Sequence, residues 1–182
     1  MKSKTLPISL IIVVLIASTA CSSINKFLGL PEYINSNKEC RFYTATELEE
    51  LYYANKESFK NVAEIILASD KLLEWMDEQG FSYDYIYMTN HKRFFSDSEW
   101  DEIVHFFKMS QVFRIKRSRT SGDSISFEFG FKRIGEIDLE VILFYFPQPT
   151  DELLEHHSRP WNLTEFYPID TNWWIRVCET PR

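Results

Sequence analysis

The sequence predicts an α+β domain, with N-terminal helices packed on one face of a mostly antiparallel sheet. Two observations lead there. As far as about Met109 the apolar residues recur mainly at helical spacing, and from Phe113 onward they alternate at the period of strands. The turns between the later strands are short and carry Gly and Asp, which joins neighbouring strands antiparallel.

Thr44 and Glu47 form a capping box, with Tyr43 placed to staple onto Leu48, so a helix begins near Ala45. Leu48, Leu51, Tyr52, Phe59, Val62, Ile66, Leu73 and Met76 carry its apolar stripe toward Gly80, a residue that helix ends prefer. A helix of that length predicts a break near Asn55 to Ser58. Tyr83, Tyr85 and Tyr87 alternate with Asp84, Ile86 and Met88 as a short strand. Ser96 and Glu99 make a second capping box, flanked by Phe95 and Trp100, and Trp100, Ile103, Val104 and Phe107 form one stripe. This predicts a helix from about Asp97 to Met109.

Phe113 and Ile115 then alternate with basic residues, Thr120 to Asp123 turn, and Ile125, Phe127, Phe129 and Phe131 alternate with Ser126, Glu128 and Gly130. The pattern is a hairpin. Gly135 turns the chain into Ile137 to Phe146, apolar on both faces from Val141 and therefore the most central strand, stopped by Pro147 and Pro149. Asp151 to His157 is a candidate short helix and Trp173 to Cys178 a last strand. No internal repeat is present, and no linker follows Cys40.

At 182 residues the chain is long enough for one domain with a real core, and 45% hydrophobic with 16% aromatic residues means that Phe, Tyr and Trp fill much of it. Removing Lys2 and Lys4 from a formal charge of −7 leaves −9 on a chain cut after residue 20. That balance disfavours nucleic acid, which needs a basic footprint. The basic run Arg114, Lys116, Arg117 and Arg119 reads as a solvated strand face.

Residues 1–20 have the composition of an export leader. Lys2 and Lys4 precede an apolar stretch from Ile8 to Ala17, within the roughly 7 to 15 residues of a signal peptide and short of the roughly 20 of a bilayer span. Ser18, Thr19 and Ala20 follow, then Cys21. Ala17 to Cys21 (ASTAC) resembles the lipobox of bacterial lipoprotein precursors, departing from it at Ser18, where that pattern usually has Leu, Val or Ile. Ser18 with Ala20 also suits ordinary signal peptidase, which would cut the same bond and leave Cys21 unmodified. The resemblance covers the leader only. It implies a diacylglyceryl thioether on Cys21, usually with N-acylation, and so a stable membrane anchor. By resemblance to enterobacterial sorting, Ser22 implies, in a Gram-negative host, the periplasmic face of the outer membrane. Residues 21–39, with Asn25, Gly29, Pro31, Asn35, Ser36 and Asn37, read as a tether, and residues 40–182 as the globular domain.

Lipidation of Cys21 leaves Cys40 and Cys178 at the two ends of the domain, a candidate disulfide in an oxidising compartment, with two buried thiols as the alternative. Gly122, Asp123, Ser124 and Ile125 resemble the serine block of one esterase and lipase family. Here the block joins antiparallel strands, and Leu153 and Leu154 stand where the partner Asp of His156 or His157 would be. A turn built from Ser, Gly and Asp accounts for it. His156 and His157 are adjacent and diverge on a helix, so they do not share a metal ion, and Asp101 with His105 shows no third ligand. No cofactor loop of either common glycine spacing occurs. Trp161, Trp173 and Trp174 crowd the last quarter beside Phe166 and Tyr167, as core, or as rings that dock a protein or glycan partner. The expectation is a noncatalytic, membrane-anchored binding module, of inhibitory or immunity type among the options. Its alternative is a carrier of an apolar or lipidic ligand, and a hydrolase stands behind both.

Overall fold

The computed structural model describes residues 41–88, 90–120, 123–159 and 163–181. The leader, the tether, Cys21, Cys40, Gly122 and Trp161 lie outside them.

Thr44 caps helix α1 (Ala45–Ala54) through the anticipated box: its hydroxyl accepts from the Glu47 amide at 3.3 Å, and its own amide donates to the Glu47 carboxylate at 2.9 Å. Asn55 separates α1 from α2 (Lys56–Ala68), within the stretch expected to break. A second break, which the apolar stripe conceals, falls at Ser69. The Ser69 hydroxyl accepts from the Leu72 amide at 3.3 Å and donates to the Phe94 carbonyl at 2.8 Å, so α3 (Asp70–Gln79) starts afresh. Gly80 ends α3 at φ +67°, a left-handed conformation that suits a residue without Cβ. After β1 (Tyr83–Ile86) and a single 3-10 turn at Lys92–Phe94, the box of Ser96 and Glu99 starts α4 (Asp97–Ser110).

The remaining elements are β2 (Arg114–Ser118), β3 (Ser124–Glu128), β4 (Lys132–Ile134), β5 (Ile137–Tyr145), α5 (Asp151–Ser158), β6 (Leu163–Asp170) and β7 (Trp173–Pro181). They join β1 in one seven-stranded sheet of order β1-β2-β3-β5-β7-β6, every pair antiparallel, with β4 added beside β5. The α+β class is as predicted. β5 is the central strand, as its two-sided apolar run requires: β7 lines one side along its whole length, while β4 and then β3 share the other. The stretch read as one strand to Phe131 is divided, because β3 ends at Glu128 and β4 pairs with the start of β5. The sequence reading did not find β6. It is an edge strand with register shifts near both ends and Pro168 inside it, so its alternation is broken where a proline is tolerated.

Helices α1 to α4 cover one face of the sheet. Tyr52, Phe59, Ile66, Met76, Ile103 and Phe106 from the helices meet Ile115, Phe127, Leu143 and Ile175 from the strands in one buried cluster. Aromatic rings make its centre: Phe59 lies 4.9 Å from Phe106 and 5.2 Å from Phe127, and Trp173 lies 5.0 Å from Tyr52 and 4.7 Å from Tyr145. On the opposite face α5 covers a smaller cluster of Ile142, Phe144, Phe146, Leu153 and Trp174.

Strand alternation divides the basic run between these faces, which corrects its reading as one solvated face. Arg117 points toward the helices and is 1% exposed. Its guanidinium donates to the carbonyls of Ile66 (3.0 Å), in the last turn of α2, and Ser69 (3.3 Å), its C-cap, sharing them with the Ser69 and Leu73 amides. A strand thus supplies the cap of a helix end. Arg119 pairs with Asp77 at the exposed rim. Arg114 and Lys116 turn to the far face.

Candidate functional site

The face of the sheet away from α1 to α4 carries a cross-strand set of charges and rings. Antiparallel register places Tyr85 opposite Lys116 and Lys116 opposite Ser126, with Arg114 opposite Glu128 one step along. Across β5, Ile142 stands opposite Arg176 and Glu140 opposite Cys178. Arg114 Nε donates to Glu128 at 2.5 Å, and the Arg114 guanidinium also lies over the Tyr85 ring at 4.2 Å. Lys116 Nζ lies 4.5 Å above the Tyr83 ring, and Arg176 covers Phe144 at 4.7 Å. Each cation thus holds its charge over an aromatic face.

Half-burial changes how these groups ionise. Burial raises the Glu140 carboxyl above the ordinary carboxylate range, and nearby Glu128 pushes the same way. Burial lowers the Lys116 ammonium and raises the Tyr85 phenol. His157, on α5, is half-buried beside Phe144 and Phe146, 5.0 Å from each ring centre, and burial together with the positive charge of Arg176 brings it down to about 4. The group therefore stays a neutral imidazole at pH 7. Because the unfolded chain protonates His157 near its ordinary 6.5, stability is fully present above that pH and falls as pH drops toward 4. The loss is on the order of 3 kcal/mol at most. Urea unfolding at pH 7 and pH 4.5 checks it: His157→Phe removes this part of the acid loss, and equal losses in wild type and variant speak against it.

No protein-family model, curated protein or solved structure matches this chain. Its site is read from its own residues.

Trp173 and Trp174 point to opposite faces of β7 and are both buried, at 3% and 8% exposure. Trp173 belongs to the helix-side core and Trp174 to the cluster under α5, so neither presents an open ring. Cys178 is buried on the far face, and burial raises its thiol. Its proposed bridge to Cys40 remains an expectation, since Cys40 lies outside the described residues. Ser124 is buried at the start of β3, opposite Ser118. His105 and Asp101 are exposed on α4, and His156 is exposed on α5. Among the described residues, no group of three or more His, Cys, Asp or Glu is placed to hold a metal ion. Also among them, no helix is long and apolar enough to cross a membrane.

Sequence reasoning named Tyr83 and Tyr85 only as a strand, and did not single out Glu128, Glu140 or Arg176. Alternation along three strands does carry a signal, since every second residue of β1, β2 and β3 on this face is polar or aromatic. Pairing one strand with another requires the register, which local spacing does not contain.

Proposed function

We propose that the mature chain is a lipid-anchored envelope protein that acts by binding, not catalysis, and that its partner is another envelope protein. The leader and Cys21 support the address. The observation that carries the binding surface is the ladder of Tyr83, Lys116, Tyr85 and Arg114 at the β1 edge, where the Tyr83 ring is 46% exposed beside cations half-sunk in the sheet. Tyr and Arg carry much of the energy of protein interfaces, because large rigid rings lose little entropy on contact and guanidinium binds directionally. Charges already held in place by neighbouring rings add orientation to such contacts. β1 is also an edge strand, and among the described residues no strand pairs with its outer side, where a partner's strand can add.

The test is crosslinking and affinity capture with the full lipidated protein. Tyr85→Ala and Lys116→Glu, each confirmed to fold, are expected to reduce partner capture at least about tenfold, the scale of one interface anchor. His105→Ala and His156→Ala, both on exposed helix surface, are expected to leave it unchanged. Loss of function in a folded His105→Ala or His156→Ala protein, with capture by the β1 variants intact, would reject the reading. The alternative, a carrier of an apolar ligand, draws support from an open cleft of about 710 Å³ lined by Phe42, Phe113, Phe129 and Phe131. Lipid co-purifying in stoichiometric amount would favour it.

A further inference from the structure

That cleft sits beside the most exposed apolar stretch in the described residues. Phe131, Ile134 and Ile137 are 57%, 54% and 37% exposed, and the hairpin of β4 and β5 is exposed without interruption from Phe131 to Ile137. Three large apolar side chains on one protruding turn are costly to leave in water. Basic groups flank them: Lys132 and Arg133 on the hairpin, and Arg41 on the cleft wall. Acids stand among them too: Glu47, which feels the charges of Arg41 and Lys132, Glu136 on the hairpin, and Asp138, engaged by Arg133 at 3.4 Å.

The position of this end in the chain matters as much as its composition. Arg41 is the first described residue, and its carbonyl accepts from the Gly130 amide at 3.1 Å, just before the hairpin. The Lys132 ammonium lies 6.0 Å over the Phe42 ring. Cys21 precedes Arg41 by 20 residues, which span at most about 70 Å even fully extended. The chain that leads from Cys21 therefore enters the described residues beside the hairpin that exposes apolar and basic side chains together.

Resting on the lipid-anchor reading, we propose that the β4–β5 hairpin is a second membrane contact. Phe131, Ile134 and Ile137 enter the interfacial zone, and Arg41, Lys132 and Arg133 meet anionic headgroups. The acyl chains on Cys21 hold the protein on the bilayer, and the hairpin, weak and reversible by itself, sets how the domain stands on the surface. The β1 edge, on a different strand, is left for a partner.

Vesicle flotation of the mature full chain carrying Cys21→Ser isolates the hairpin from the anchor. The expected result is binding to vesicles of phosphatidylethanolamine with phosphatidylglycerol, weaker binding to phosphatidylcholine, and at least about tenfold loss for Phe131→Ser with Ile134→Ser. Both positions are exposed, so unchanged thermal unfolding of the double variant certifies its fold. Binding to neither vesicle, or equal binding by variant and wild type, overturns the proposal. Acyl labelling of wild-type Cys21, measured separately, keeps the two readings apart. Labelled Cys21 without hairpin-dependent flotation defeats the hairpin alone, and unlabelled Cys21 with it defeats the anchor alone.

Discussion

Trp173→Ala is expected to destabilise the domain by about 3 to 5 kcal/mol, the cost of truncating a core aromatic side chain. Against a total of about 5 to 15 kcal/mol, that removes much of the margin. Trp173 lies at the junction where the helices meet the sheet: its ring is 5.0 Å from Tyr52 on α1, 6.1 Å from Phe59 on α2, 5.9 Å from Phe127 on β3 and 4.7 Å from Tyr145 on β5. Removing it leaves a void bordered by four rings anchored to separate elements, which cannot all move inward. Trp174→Ala is the contrasting variant. It opens the smaller cluster under the single short helix α5, where Trp174 retains some exposure, so the helix can settle and the loss is smaller. Urea unfolding followed by far-UV circular dichroism measures both, and a Trp173→Ala loss no greater than that of Trp174→Ala would contradict the assignment of the two rings to a major and a minor core. The comparison also bears on function, because a loss of binding in either variant follows from unfolding unless stability is restored.

Cys21→Ser is expected to move the protein from the membrane pellet to the soluble fraction after a salt wash, and to abolish acyl labelling. Two or more acyl chains hold a protein on a bilayer almost irreversibly, while one weak contact is removed by dilution and salt. The hairpin contact is of the second kind, so it does not retain the unlipidated chain through the wash. Fractionation of cells expressing each form, with labelled fatty acid, reads both outcomes. A Cys21→Ser protein that stays in the washed pellet without acyl chains would contradict the lipoprotein reading.

The sequence by itself determined most of the local architecture, because its signals are short-range. The capping boxes at Thr44 and Ser96 depend on residues three apart, and both helices begin where those boxes place them. The two-sided apolar run of β5 identified the central strand, since only a strand with neighbours on both sides and layers on both faces has that composition. The leader is likewise read from a local pattern, but it lies outside the described residues and its role stays a proposal. The break at Ser69 was concealed because the apolar stripe runs through it; its cap bond to the Leu72 amide is local, but the bond that ties it to the rest of the fold, to the Phe94 carbonyl, closes across 25 residues. The burial of Arg117 was invisible because its partners are carbonyls at the end of a helix, Ser69 and Ile66, 48 and 51 positions away, and a basic strand reads as solvated until a helix end is laid over it. The far-face set was hidden for the same reason. Lys116, Glu128, Glu140 and Arg176 lie on four strands, and only the pairing of those strands sets their charges side by side in a half-dry surface where burial and mutual charge change how they ionise. Local spacing fixes which way a side chain faces, and the tertiary structure decides what it faces.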